Sequence, residues 1–151
     1  MPLVIADATP LIGLDRAGHL SLLPGVFGDL AAPPAVVAEF GRRPPWLRNI
    51  EPEHDGTVRL LQALSFGAGE SEALAVATGR PGSTVLLDEK RARRFAAERG
   101  MHVAGTAGVV LRAKQKGLIP LVQPVLEDLV RTGFYLSQGL YRGVLRRAGE
   151  G

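Results

Sequence analysis

The sequence predicts an α/β protein in three layers, with helices on both faces of a central, mostly parallel sheet of four to five strands. Two observations predict it. Short apolar runs, the length of buried strands, recur at residues 3–6, 84–87 and 101–104, with fainter ones at 30–32 and 58–61. Between them lie segments with apolar residues at helical spacing, and strands that alternate with helices pair in parallel. At 151 residues the chain fits one domain, read as a core over about 1–118 and a helical extension over about 119–151.

The first run ends at Asp7. Thr9-Pro10 then reads as a helix N-cap followed by proline, and Leu11, Ile12, Leu14, Ala17 and Leu20 carry the helix on. Pro33-Pro34 opens a second helix through Val36, Val37 and Phe40. Residues 41–53, with Pro44, Pro45 and Pro52, read as a break or a short irregular helix, and 58–61 as a strand. Gly67-Ala68-Gly69 leads into a strong helix over 70–77 that stops at Gly79. After the run at 84–87, Asp88 reads as the cap of a helix to Glu98. After 101–104, Thr106 reads as the cap of a helix through Leu111 that ends near Gly117. From Pro120 two further helices are expected, broken near Gly133.

The net charge of +3 is unevenly placed. Residues 1–89 hold 6 Lys and Arg against 11 Asp and Glu, whereas residues 90–151 hold 12 against 4. That division suggests an acidic site beside an anion-attracting surface; solvated helix faces are the plainer alternative. Cysteine is absent, which excludes disulfides and thiolate metal sites and makes a reducing cytoplasm the expected compartment. The N-terminal apolar run is too short for a membrane span or a signal peptide. His19, His54 and His102 share no metal-ligand spacing.

In a parallel sheet, ligands bind beyond the carboxyl ends of the strands. Asp7 and Asp88 follow predicted strands directly, so both are expected in that crevice, and Glu39 and Glu70 stand out beside them. Each has an ordinary reading: Asp88 as a cap, Glu70 and Glu72 as first-turn acids favoured by the helix dipole, Glu39 as a solvated helix residue. Together they differ. Carboxylates gathered in one crevice repel each other unless protons or a cation compensate, and hard divalent cations with oxygen ligands do so.

The motifs resemble those of PIN domains, in order. Ile5-Ala6-Asp7-Ala8-Thr9-Pro10-Leu11-Ile12 is similar to the family's opening, and Ala35-Val36-Val37-Ala38-Glu39-Phe40 to its second acidic motif. Gly69-Glu70-Ser71-Glu72-Ala73-Leu74-Ala75 resembles the third motif and Leu86-Leu87-Asp88 the fourth. The interval to Asp88 suits Glu70 better than Glu72, which stays a candidate. The resemblance spans essentially the whole chain and is closest to a branch related to VapC-type toxins, with Glu70 standing where those proteins usually carry aspartate. It implies a metal-dependent phosphodiester hydrolase, with RNA (single-stranded or structured) as the substrate. Asp7, Glu39 and Asp88 would hold Mg²⁺ or Mn²⁺, and Glu70 would assist through water or a second ion. Thr9, Arg91, Arg94 and Thr106 are the expected substrate contacts, Thr106 chiefly as a cap. Arg112 with Lys116, and Arg142 with Arg146, form further basic pairs. Trp46, Tyr135 and Tyr141 are candidate stacking platforms. The resemblance further implies a homodimer and a small antitoxin partner. A PIN-fold module that binds nucleic acid or protein with little catalysis remains the alternative.

Other α/β enzymes fit poorly. A phosphotransferase of the haloacid-dehalogenase type needs a second aspartate two residues after the first, where Thr9 stands. A receiver domain wants paired acids, but Ala8 follows Asp7. The segment after Asp7 also lacks the G-x-G-x-x-G turn of a dinucleotide site.

Overall fold

The chain begins with β1 (Val4–Ala6), α1 (Ala8–Arg16), α2 (Leu22–Val26) and β2 (Leu30–Ala32), in a computed structural model that describes residues 2–151. It continues through α3 (Pro34–Phe40), β3 (Leu47–Asn49), α4 (Asp55–Ala63), α5 (Ala68–Thr78) and β4 (Thr84–Leu86). Then follow α6 (Lys90–Glu98), β5 (His102–Ala104), α7 (Thr106–Gln115), α8 (Gln123–Arg131) and α9 (Gln138–Arg147). The strands make one five-stranded, all-parallel sheet in the order β3-β2-β1-β4-β5. The expected three layers are present.

Alternation along the strands divides the core. Val4 and Ala6 of β1 join a cluster that includes Leu11 and Leu14 of α1, Val110 of α7 and Leu126 of α8. Ile5 faces the other way, with Leu74 of α5 and Ala92 of α6. β2 and β4 repeat the pattern, since successive strand residues point to opposite faces. A sheet covered on both sides suits these short, apolar parallel strands.

Several element boundaries differ from expectation. Residues 58–61 lie in α4, where Val58 and Leu61, three apart, turn one face toward the core. The fifth strand is instead β3, inside the proline-rich segment; only Leu47 of its three residues is buried, so this edge strand carries no apolar run. The first helix ends at Arg16, and Gly18 (φ +81°) breaks it from α2. That helix starts at Ala8 rather than after Thr9, leaving Asp7 in the N-cap position without a side-chain cap bond. Glu89, not Asp88, caps α6, accepting from the amides of Arg91 and Ala92. Gly105, not Thr106, is the N-cap residue of α7.

Beside the apolar packing of Leu126, Leu129 and Val144, one carboxylate ties the C-terminal helices to α7. Glu150 accepts from Lys114 Nζ at 2.9 Å, from the Val122 amide at 2.7 Å and from the Gln123 amide at 3.1 Å. Burial would raise its carboxyl, but these donors outweigh burial and hold it below the ordinary range. Phe134 packs against Gly13 of α1: a Cβ there would sit 2.6 Å from its ring. Glu150→Ala is expected to loosen α9 ahead of the sheet. Hydrogen exchange should quicken in α9 and at Val122–Gln123 while β1 and β4 stay protected; uniform quickening would show that the tie is not local.

Candidate active site

The strand order reverses between β1 and β4. β1 pairs with β4 through Ala6↔Leu86, and the Asp7 amide donates to the Leu86 carbonyl at 3.1 Å. Parallel pairing thus delivers Asp7 and Asp88 side by side at the carboxyl edge, where the crevice of an open α/β sheet lies. Asp7 is 5% exposed. Burial pushes its carboxyl up to about 7; the Ala8 amide pulls it down, and the charges of Glu70, Glu39 and Asp88 push it further up. The other three sequence-predicted acids therefore lie near enough to act on Asp7.

Their surroundings distinguish them. An ideal Cβ on Gly69 would lie 2.9 Å from Glu39 Oε1 and 3.3 Å from Asp7 Oδ1, so the two carboxylates converge on a spot kept free of side chain. Asp88 accepts from the Thr106 amide at 2.8 Å and from Thr106 Oγ1 at 2.6 Å. Thr106 is fully buried; rather than capping its helix, it holds Asp88 against the α7 N-terminus. Burial pushes the Asp88 carboxyl up, while the Thr106 hydroxyl and amide and the Arg93 guanidinium pull it down without cancelling that rise. Glu70 turns back to the Gly67 amide at 3.2 Å, the capping role of a first-turn acid. Glu72 accepts from the Ala35 amide at 2.9 Å and so caps α3.

Two clefts open from Asp88. One, of about 370 Å³, runs between α1 and the α8–α9 loop and takes in Thr9, Arg16 and Tyr135. The other, of about 730 Å³, runs between α7 and α9. Arg93, Arg112, Arg146 and Arg147 line it, and Gly108, Gly139 and Gly143 have no non-neighbouring atom within 4 Å of an ideal Cβ. Asp88 is the one acid on its walls.

A family model described as DUF3368: PIN domain matches residues 3–150. The chain belongs to this PIN-domain family. No curated protein and no solved structure gives a significant match. PIN domains are a nuclease fold, and this one places Asp7 and Asp88 where the strand order of the parallel sheet reverses.

Not every predicted contact faces the crevice. Arg91 stacks over the Phe66 ring, 4.1 Å from its centre, and donates to the carbonyls of Leu64 and Ser65, so it braces the α4–α5 turn. Arg94 is exposed and lines neither cleft. Lys116 donates to the Val26 carbonyl at 2.7 Å and fastens the end of α2, while Arg112 also lies 5.5 Å from the Phe27 ring. Sequence reasoning passed over Arg93, which donates to the Leu87 carbonyl at 2.7 Å beside Asp88. Arg91 and Arg94 were favoured as a pair three apart on one helix face beside Asp88; Arg93 lies on a different face, and it is the one that turns back toward β4. Trp46 and Tyr141 are half-buried against the core, leaving Tyr135 exposed.

The donor set suits a hard divalent cation in chemistry, since every group is a carboxylate or hydroxyl oxygen. Asp7 and Glu39 also fit in place, converging beside Gly69. As the side chains stand, no three His, Asp or Glu residues among those described gather closely enough to hold an ion. Glu70 and Asp88 are the ones engaged elsewhere, on Gly67 and Thr106.

Asp7 carries a pH signature. Its carboxyl keeps a proton up to about pH 7 when folded, against an ordinary value of 3.8, so the folded chain binds the extra proton between those limits. Stability should therefore fall as pH rises from about 4 to about 7, by roughly 4 kcal/mol at most. Urea unfolding in EDTA at pH 5 and pH 8 is expected to show that loss in the parent, and a flatter profile in Asp7→Asn. Equal slopes would mean that Asp7 is ionised in the folded chain throughout.

Proposed function

We propose that the protein is a Mg²⁺- or Mn²⁺-dependent endoribonuclease. The observation that carries the reading is the opening of the acidic centre, through the half-buried Asp88, onto a cleft walled by four arginines. A phosphodiester strand needs both: oxygen ligands for a cation at the bond to be cut, and guanidinium groups for the flanking phosphates.

In this reading Asp7, Glu39 and Asp88 hold the ion, with Glu70 assisting through water or a second ion. When bound, the ion supplies Lewis-acid polarisation of the phosphate and activation of water. The remaining work falls to the chain. Gly69 keeps Asp7 and Glu39 free of an intervening side chain. Thr106 fixes Asp88 in one orientation through two donors. Arg93 offsets part of the acidic charge beside the approaching phosphate, and Arg112, Arg146 and Arg147 hold the backbone beyond it without reading bases. Water adds to phosphorus, the bond to one ribose oxygen breaks, one proton of that water ends on the departing oxygen, and two shorter strands leave.

The VapC-like toxin role, cytoplasmic and with a small antitoxin and a homodimer, extends this proposal and rests on the motif resemblance. No helix among the described residues is long and apolar enough to cross a membrane.

Purified protein incubated with labelled single-stranded RNA and Mn²⁺ is expected to cut it. EDTA and the double substitution Asp7→Asn/Asp88→Asn should each abolish cutting. Undiminished cleavage by the double variant would place the activity elsewhere or in a contaminant. If the parent never cuts but binds RNA equally with and without metal, the chain is a binding module instead.

The arginine cleft makes a separate prediction. Arg146→Ala/Arg147→Ala should weaken RNA binding and lower the dependence of log Kd on log salt by about 1 to 2 in slope. An unchanged slope would show that these side chains neutralise no phosphates.

A further inference from the structure

The smaller cleft at Asp88 differs in kind from the arginine cleft. Its wall on α1 is a single helical face, Thr9, Ile12, Gly13 and Arg16, at the i, i+3, i+4, i+7 spacing. Opposite stands the loop between α8 and α9. Its most prominent side chain is Tyr135, 83% exposed, and no other aromatic residue among those described is mostly exposed.

That exposure is not slackness. α8 ends in a Schellman motif: Gly133 (φ +102°) donates to the Val130 carbonyl at 3.1 Å, and Phe134 to the Leu129 carbonyl at 2.9 Å. The Phe134 ring then docks on Gly13, where even a methyl group would collide with it. Beyond the loop, Ser137 caps α9 by accepting from the Leu140 amide at 3.1 Å. Tyr135 is thus held out from the surface by fixed points on either side. A rigid aromatic with few torsions loses little entropy when a partner stacks on it.

We propose that this cleft is a subsite for one unpaired nucleobase, which stacks on Tyr135 with the Arg16 guanidinium beside it. The inference rests on the nuclease reading above and adds what the substrate must present: a base free of its complement, next to the bond at the acids. Three features point to that occupant. The cavity, about 370 Å³, has the size of a small-ligand site. Tyr135 offers a face on which any base can stack, with the Arg16 guanidinium on the same walls as Asp88 and Glu89. Asp88 lies on the walls of both clefts, so a strand stacked here continues past the acids into the arginine cleft. A continuous duplex, whose bases are paired and stacked inside, cannot offer a base to Tyr135.

The test uses the intact chain with Tyr135→Ala, Tyr135→Phe and Tyr135→Trp; each changes an exposed side chain and should leave the melting temperature unaltered. Probes are a six-nucleotide single-stranded RNA, the same strand with its bases removed, and a blunt duplex. Stacking contributes enough that Tyr135→Ala should raise Kd for the single strand roughly 5- to 150-fold, while Tyr135→Phe stays near the parent. In Tyr135→Trp the added indole emission, read against the parent with its lone Trp46, should be quenched by the single strand and not by the abasic strand or the duplex. Equal affinity of the parent and Tyr135→Ala for the single strand overturns the subsite. So does equal quenching by the abasic strand. Metal-dependent cleavage that survives Tyr135→Ala with unchanged KM would overturn the subsite and leave the nuclease standing. Quenching without cleavage would uphold the subsite and remove the nuclease.

Discussion

The pairing of β1 with β4 is the contact on which the rest depends. It joins the two halves of the sheet, and its register, Ala6 opposite Leu86, decides which residues emerge at the carboxyl edge. A slip of one residue would send every side chain of a strand to the opposite face. Here the register places one aspartate immediately past β1 and another two residues past β4. Neither emerges into open water. Asp7 is buried among like charges, and the fold tolerates that arrangement because the flanking layers bury so much apolar surface around it. Such a centre is a local liability that the apolar core offsets and a cation would relieve.

The two aspartates were legible in the sequence because they sit past strand ends, where an α/β protein places its chemistry, and Glu39 and Glu70 only through the motifs around them. Apolar runs located β1 and β4, and each aspartate followed directly. What could not be read was who satisfies whom. Glu70 and Glu72 lie two residues apart in the same motif, yet one caps its own helix and the other caps the neighbouring helix α3. Asp88 looked like the cap of α6 because it precedes the helix. The structure gives that task to Glu89 and uses Asp88, through Thr106, at the start of α7. These assignments rest on contacts between segments distant in sequence, which local pattern does not encode.

The fold showed a similar division. The runs at β1, β4 and β5 announced themselves, while β3 did not, since Arg48 and Asn49 leave Leu47 as its one apolar residue. The segment 58–61 misled for the complementary reason: four residues with apolar ends satisfy a strand and a helix face alike. Basic residues were harder still. Arg91 and Arg94 were attractive by nearness to Asp88, but one braces a turn and the other stands clear of both clefts. Arg93 and Arg147 became visible only when the helices were in place.

The arginine cleft owes part of its width to what is missing. Gly139 and Gly143 occupy α9, a helix of ten residues, with empty space where side chains would stand. A glycine inside a helix costs about 1 kcal/mol relative to alanine, so this helix is weaker than its length allows. Directed evolution for heat tolerance alone would accordingly be drawn to these two positions, because alanine fits both and strengthens the helix. Larger replacements would trade the passage for rigidity. Heat-resistant variants recovered by such a screen should be sorted by whether their channel is still open before any of them is adopted as an improved protein.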